Sequence, residues 1–287
     1  MTIHEALRAI SSQLTLLYPT PTAALQATWL ILEHVTKLQR TALLTQTKEL
    51  TNEQEQKITT IMHEITVEHK PLDYILGTVH FLELTLAITP PILIPRQETE
   101  WWCSELLKKL SEASITPHHI LDLGTGSGCL ALSLGKAFKQ SKIDAVDCNK
   151  NALELARFNR EKNHVFNVDF GYSNLFDNVP TDPLYDLIVS NPPYIDEKDW
   201  QELEPSVKRW EDKGALVAEK HGYALIEKII DQAPNFLTNH GQLWIEIGAE
   251  QGERVQAYFK KRGFQQVTCL QDLYGRDRVV YGIWEYL

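Results

Sequence analysis

Ile120-Leu121-Asp122-Leu123-Gly124-Thr125-Gly126-Ser127-Gly128 runs from an apolar strand into a glycine-rich turn, and Cys129-Leu130-Ala131-Leu132-Ser133-Leu134 continues it with helical character. Glycines at such a corner let the backbone approach a ligand closely and leave the N–H groups of the following helix exposed. The segment therefore reads as the nucleotide- or adenosyl-binding turn of an α/β sheet. From Gly126 onward it also spells G-x-G-x-x-A, so the turn alone fits a dinucleotide equally well. Ile143-Asp144-Ala145-Val146 supplies a second strand ending in Asp147. That carboxylate stands about twenty residues past the loop, where it can accept from both ribose hydroxyls of either cofactor.

Outward from this corner, strands and helices alternate: Ile120 to Leu123, Ile143 to Asp147, Phe166 to Phe170, Tyr185 to Ser190, Gly241 to Ile247, Gln265 to Leu270 and Val279 to Trp284. The order predicts an α/β fold with a doubly wound, seven-stranded sheet over residues 96–287. Residues 1–70 are patterned as a small helical bundle instead. Thr2-x-x-Glu5 and Thr51-x-x-Gln54 have capping-box spacing, and Thr20-Pro21 places a proline in a first helical turn. Leu25, Trp29, Leu32 and Val35, then Ile58, Ile61, Met62 and Ile65, repeat at helical intervals. Between the two, residues 71–95 read as a strand-pair linker, with Leu82, Leu84, Leu86 and Ile88 alternating. Arg96-Gln97-Glu98-Thr99-Glu100 then opens a helix whose inner face holds Trp102, Leu106 and Leu110.

Asn191-Pro192-Pro193-Tyr194 separates the two cofactor readings. It follows Tyr185-Asp186-Leu187-Ile188-Val189-Ser190, an apolar run of buried-strand type, and so lies beyond a strand's carboxyl end, where ligands bind in open α/β sheets. An asparagine offers an amide oxygen and an NH2 to a planar nitrogen substrate. Two prolines fix their φ angles, remove two donors and hold the carbonyls between them in one direction. The tyrosine adds a flat ring to pack over the substrate. Methyl transfer to an sp2 nitrogen, of an amide or of an exocyclic base amine, suits such a clamp; hydride transfer has no use for it. Trp200 and Trp210 follow in the next loop, as groove lining or as cover for the core.

Composition narrows the setting. The chain has 287 residues, 43% hydrophobic and 23% charged, enough for two domains with a sizeable core. No run of eighteen apolar residues and no leader-like N-terminus is present, so a cytoplasmic enzyme is expected. Cys103, Cys129, Cys148 and Cys269 lack C-x-x-C spacing, which points to free thiols rather than a metal site, with Cys129 and Cys148 as small buried side chains. The net charge of −10 speaks against nucleic acid, whose phosphates call for cations.

Five stretches resemble the PrmC/HemK family, the N(5)-glutamine methyltransferases that modify peptide chain release factors with S-adenosylmethionine. They are Tyr74-Ile75-Leu76-Gly77, Leu93-Ile94-Pro95-Arg96-Gln97-Glu98-Thr99-Glu100, Leu121 to Gly128, Ala145-Val146-Asp147 and Val189-Ser190-Asn191-Pro192-Pro193-Tyr194-Ile195. The resemblance covers nearly the whole chain and implies a class I methyltransferase (Rossmann-like) domain. It further implies release factors as partners, bound in part through residues 1–70, and their Gly-Gly-Gln glutamine as substrate. In that family the cofactor would lie on Asp122, Gly124, Thr125, Gly126, Ser127, Gly128 and Asp147, with Asn174, Leu175 and Asn191 completing the site. Asn191, Pro192, Pro193 and Tyr194 would hold the glutamine, no metal being involved. Three departures stand out: Asn174 in Ser173-Asn174-Leu175-Phe176 where the family usually has an acid, Gln97 where proline is common, and Ala218-Glu219-Lys220-His221-Gly222 in place of a more glycine-rich, acidic segment. Two other readings remain open at this stage, a nucleic-acid methyltransferase using the same clamp on a flipped base and a cofactor-binding interaction protein of low activity.

Overall fold

The computed structural model describes residues 1–45 and 49–286. Two compact units emerge, Met1–Gly77 with Glu204–Trp210, and Thr78–Leu203 with Glu211–Leu287. In the first unit both capping boxes form: the Thr2 and Thr51 side chains accept from the Glu5 and Gln54 N–H groups, and those side chains accept in return. Ile58, Ile61, Met62 and Ile65 are buried as their spacing predicts. Helix Pro21–Thr36 is rotated from the expected face. It buries Ala24, Ala27, Thr28, Ile31, Leu32 and Val35, while Leu25 is exposed and Trp29 only half-buried. Small residues let the neighbouring helix Ile3–Leu14 come close, and that proximity outweighs the larger apolar residues on the adjacent stripe.

The bundle continues past residue 70. Leu72–Leu76 is a helical turn closed by Gly77 at φ +72°, and Leu72 belongs to the bundle core, which moves the division to Gly77. The helix Pro205–Trp210 also belongs to this unit: the Trp210 indole N–H donates to the Glu68 carbonyl and Lys70 lies over its ring. Trp210 thus covers the bundle, whereas Trp200 is buried within the second unit.

The second unit begins with a hairpin, β1 (Thr78–Phe81) and β2 (Leu84–Ala87), whose Leu84 and Leu86 are buried. Leu82 is the exception to the expected alternation, because it sits in the turn at φ +49°. Seven further strands follow: β3 (His119–Leu123), β4 (Lys142–Asp147), β5 (Val168–Tyr172), β6 (Tyr185–Ser190), β7 (Leu237–Glu246), β8 (Gln265–Gln271) and β9 (Asp277–Ile283). They form one sheet in the order β5-β4-β3-β6-β7-β9-β8, with β9 antiparallel to both its neighbours and the rest parallel. Alternate residues feed two cores. Ile120, Leu187 and Val189 pack with Trp102, Leu106 and Leu110 on one face; Leu121, Ile188 and Ile245 pack with Ile226, Ile229 and Val255 on the other. Burial on both faces explains why these strands read as continuous apolar runs. Strand order reverses between β3 and β6, so a crevice opens at their carboxyl ends. The Ser190 hydroxyl ties those ends together by donating to the Leu123 carbonyl at 2.8 Å.

Candidate active site

At the end of β3 the chain turns through Gly124, Gly126 and Gly128, all with positive φ. Gly124 and Thr125 N–H both donate to the Val146 carbonyl, which anchors the turn to β4. Beneath it the Asp122 carboxylate accepts from the Thr125 hydroxyl at 2.6 Å and from the Ala131 N–H at 3.2 Å. Its other oxygen, Oδ1, is buried and meets no hydrogen-bonding group of the protein. Burial raises the Asp122 carboxyl to about 7, against the two donors. Asp147, at the end of β4, receives the Gly126 N–H on one oxygen and the Asn149 N–H on the other, both at 2.8 Å. Burial raises its pKa as well, and those backbone N–H groups oppose the shift.

Beyond β6, Asn191-Pro192-Pro193-Tyr194 is held from behind by one carboxylate. Glu246 ends β7 and is 1% exposed. Its Oε2 accepts from the Thr99 hydroxyl and from the Trp102 indole N–H, each at 2.6 Å, and its Oε1 accepts from the Tyr194 hydroxyl at 3.2 Å. Asn191 in turn donates from Nδ2 to Thr99 Oγ1 at 3.1 Å. Desolvation pushes the Glu246 carboxyl up and, with the carboxylate beside it, the Tyr194 phenol too. Two more contacts fix the segment's exit. The Gln251 side chain donates to the Tyr194 carbonyl, and Ile195 exchanges backbone hydrogen bonds with Leu216 and Ala218. Gly222, at φ +82°, packs so closely on the Tyr194 carbonyl that a Cβ there would collide with it.

These ends enclose a cavity lined by Gly124, Gly126, Asp147, Asn174, Leu175, Asn191, Pro192 and Pro193. A smaller recess beside it is lined by Asn191, Pro192, Pro193, Tyr194 and Arg96. Asp122, Thr125, Ser127 and Gly128 are buried outside the lining. The cavity also takes in Ile92, Leu93, Cys148, Asn149, Asp212, Ala215 and Leu225, which local motifs did not reveal. Cys148 and Asn149 directly follow Asp147 and could have been inferred from that adjacency. Cys129 packs against the core as expected of a small side chain, whereas Cys148 is exposed, contrary to expectation, because it lines the cavity rather than the core. Arg96 pairs with the buried Glu211, and Glu100 accepts from the Leu82 N–H at 2.7 Å. Two of the three charges of the Arg-Gln-Glu-Thr-Glu stretch therefore fasten the helix start to neighbouring loops, and the third, Glu98, lies 3.6 Å from Arg278. His221 lies at the surface, 2.7 Å from Asp196.

Residues 5–77 match the PrmC N-terminal domain, and residues 103–218 match the methyltransferase small domain. The release factor glutamine methyltransferase of Lactococcus lactis is 37% identical over 277 residues, covering 96% of this chain and 97% of that protein. The protein of the same name from Coxiella burnetii is 34% identical over 280 residues, 98% of each. This chain belongs to the release factor glutamine methyltransferase family. Among solved structures, a methyltransferase from Pyrococcus furiosus covers 83% of this chain and all of its own at TM-score 0.52 and 18% identity. A 16S rRNA methyltransferase from T. thermophilus, in complex with AdoMet and guanosine, covers 72% of this chain and 49% of its own at TM-score 0.54 and 15% identity. These distant likenesses establish the class I methyltransferase fold. As a family member this chain is an S-adenosylmethionine-dependent enzyme.

Proposed function

We propose that this enzyme methylates the side-chain amide nitrogen, N5, of the glutamine in the Gly-Gly-Gln motif of peptide chain release factors. The observation that carries this reading is Asn191: it lines the cavity at the sheet's switch point, and its amide is fixed through Thr99 to a buried carboxylate. The residues present fit an adenosyl group. A Cβ at Gly124 or Gly126 would meet nothing within 4 Å, so the turn leaves open space beside the cavity. Each Asp147 oxygen takes one N–H and keeps a lone pair for a ribose hydroxyl. Asp122 supports the turn from beneath through Thr125. Asn174 would accept from the adenine amine and Leu175 pack on the ring, while Ser127 and Gly128 shape the turn.

Bound S-adenosylmethionine supplies an electrophilic methyl group. An amide nitrogen is a poor nucleophile because its lone pair is delocalised into the carbonyl. Asn191 Oδ1 and the Pro192 carbonyl would accept the two N–H groups of the glutamine amide and fix the nitrogen in line with the methyl. Both acceptors stabilise the positive charge that develops on it. Pro193 keeps the carbonyl direction fixed, and the Tyr194 ring packs on the amide plane. No side-chain base is needed, since the methylated nitrogen is acidic enough to lose its proton to water. Glu246 stays behind the clamp, with both oxygens engaged by protein donors. Intact-mass measurement of a release factor incubated with enzyme and cofactor tests the proposal. A single added methyl, absent when the motif's glutamine is changed to alanine, is expected; an unmodified factor refutes it.

A further inference from the structure

We infer that Thr99 and Glu246 are positioning residues that set which end of the Asn191 amide faces the substrate; the inference rests on the reading of Asn191 as the clamp for the substrate amide. An asparagine amide can sit in two orientations, and only one presents an acceptor to an incoming N–H. The choice here follows from donors that have no alternative. The Trp102 indole nitrogen carries one hydrogen and can only donate, so Glu246 Oε2, 2.6 Å away, is an accepting oxygen. With Glu246 ionised and so without a hydrogen of its own, the Thr99 hydroxyl, 2.6 Å from the same Oε2, must spend its single hydrogen there. Its oxygen is left as an acceptor, and Asn191, 3.1 Å off, can satisfy it only with the NH2. Oδ1 is thereby turned to the opposite side of the planar amide, that of the cavity Asn191 lines.

The relay is buried throughout, with Thr99 and Glu246 each 1% exposed and Trp102 fully covered. Water therefore cannot substitute for a missing donor, and a flipped amide would face Thr99 oxygen to oxygen. The same carboxylate holds the Tyr194 hydroxyl on Oε1, so a single group fixes the first and last residues of the Asn-Pro-Pro-Tyr stretch. The three partners come from one helix, Gln97–Glu112, and one strand, β7. Their separation from Asn191 is 92 residues for Thr99.

Thr99→Val, which keeps the shape and removes the hydroxyl, tests the relay in the full-length enzyme with a release factor as substrate. We expect kcat to fall at least tenfold while the Kd for S-adenosylmethionine changes less than twofold. Thr99→Ala should show the same pattern, and Thr99→Ser, which restores the hydroxyl, should recover at least half of kcat. A purely structural role would give losses that multiply with those of Asn191→Ala. The relay predicts that Thr99→Val slows Asn191→Ala by less than twofold further. Wild-type turnover in Thr99→Val, or multiplicative losses in the double variant, would overturn the inference. Wild-type turnover in Asn191→Ala would instead sink the amide-clamp reading on which it stands.

Discussion

Asn191 and Asp147 line one cavity and should fail in different ways. On the proposed clamp, Asn191→Ala would remove a preorganised acceptor aimed at charge that develops only during methyl transfer. Its rate should drop about 10²- to 10³-fold with cofactor affinity largely kept; a rate within threefold of wild type contradicts the clamp. If Asp147 accepts from both ribose hydroxyls as proposed, Asp147→Ala should weaken S-adenosylmethionine by roughly 1.5 to 3 kcal/mol in titration calorimetry. Equal affinity would take Asp147 out of the site. Asp122 makes a prediction about pH. Burial lifts its carboxyl from 3.8 to about 7, so the folded chain binds this proton more tightly than the unfolded one. The stability it contributes is full below about pH 4 and lost as pH rises through about 7, a span of roughly 4 kcal/mol at 1.36 kcal/mol per unit. Asp122→Asn can still accept from Thr125 and Ala131 but does not titrate. Its unfolding free energy in urea should fall by roughly 3 kcal/mol less than wild type between about pH 5 and pH 8. Parallel pH profiles for the two proteins would mean that the carboxyl is not perturbed.

Among turns and elements, two glycines with similar backbone angles differ in surroundings, and the contrast separates conformation from packing. Gly77 closes a helix at φ +72° with nothing within 4 Å of a Cβ, so Gly77→Ala should cost only the left-handed backbone term, about 1 kcal/mol. Gly222 at φ +82° lies against the Tyr194 carbonyl and the Gln251 side chain. Gly222→Ala must displace the Asn-Pro-Pro-Tyr exit, and it should cost more in urea unfolding and slow methylation at least tenfold, the cost of a small misplacement at the reacting centre. Equal behaviour of the two variants would show that the 216–222 stretch does not position Tyr194. The same stretch marks where sequence reading stops. Capping boxes, the glycine turn, the strand ends at Asp147 and Ser190 and the helix after Arg96 are local signals, each carried by a few neighbouring residues, and the structure has them within a residue or two. The face of helix Pro21–Thr36 was misplaced because small residues gain burial from the helix they approach, which no single-helix pattern encodes. Thr99, Glu211, Gln251 and Gly222 were invisible as site residues for a related reason. Their partners lie far along the chain, 147 residues apart in the case of Thr99 and Glu246, and only the sheet order brings them together. Glu246, which no local motif marks, is placed as a buried anchor by its three donors.

At the scale of the whole molecule, charge and size bear on what the enzyme accepts. With 38 carboxylate side chains against 28 Lys and Arg the net charge is −10. A nucleic-acid enzyme that neutralises six to ten phosphates loses about 10³ to 10⁵ in affinity as salt rises from about 50 to 200 mM. A protein substrate held by loop and side-chain contacts has no such counterion release. Methylation of a release factor should therefore vary less than about fivefold over that range, and DNA and RNA should take no methyl group at its low end, where phosphate attraction is strongest. The helical unit adds a second expectation. If it grips the body of a release factor, the Gly-Gly-Gln loop is presented at high effective concentration, and a free peptide forgoes that gain. Full-length enzyme should then show a KM for a short Gly-Gly-Gln peptide about 10²-fold or more above that for the intact factor, with kcat within about tenfold, because glycines leave the glutamine free to enter the cavity in either case. Equal KM values would confine recognition to the cavity and remove the bundle from substrate binding. Methyl incorporation into nucleic acid with none into the factor would overturn the protein-substrate assignment, since a fold shared with a 16S rRNA methyltransferase at 15% identity does not choose between an amide and a base amine.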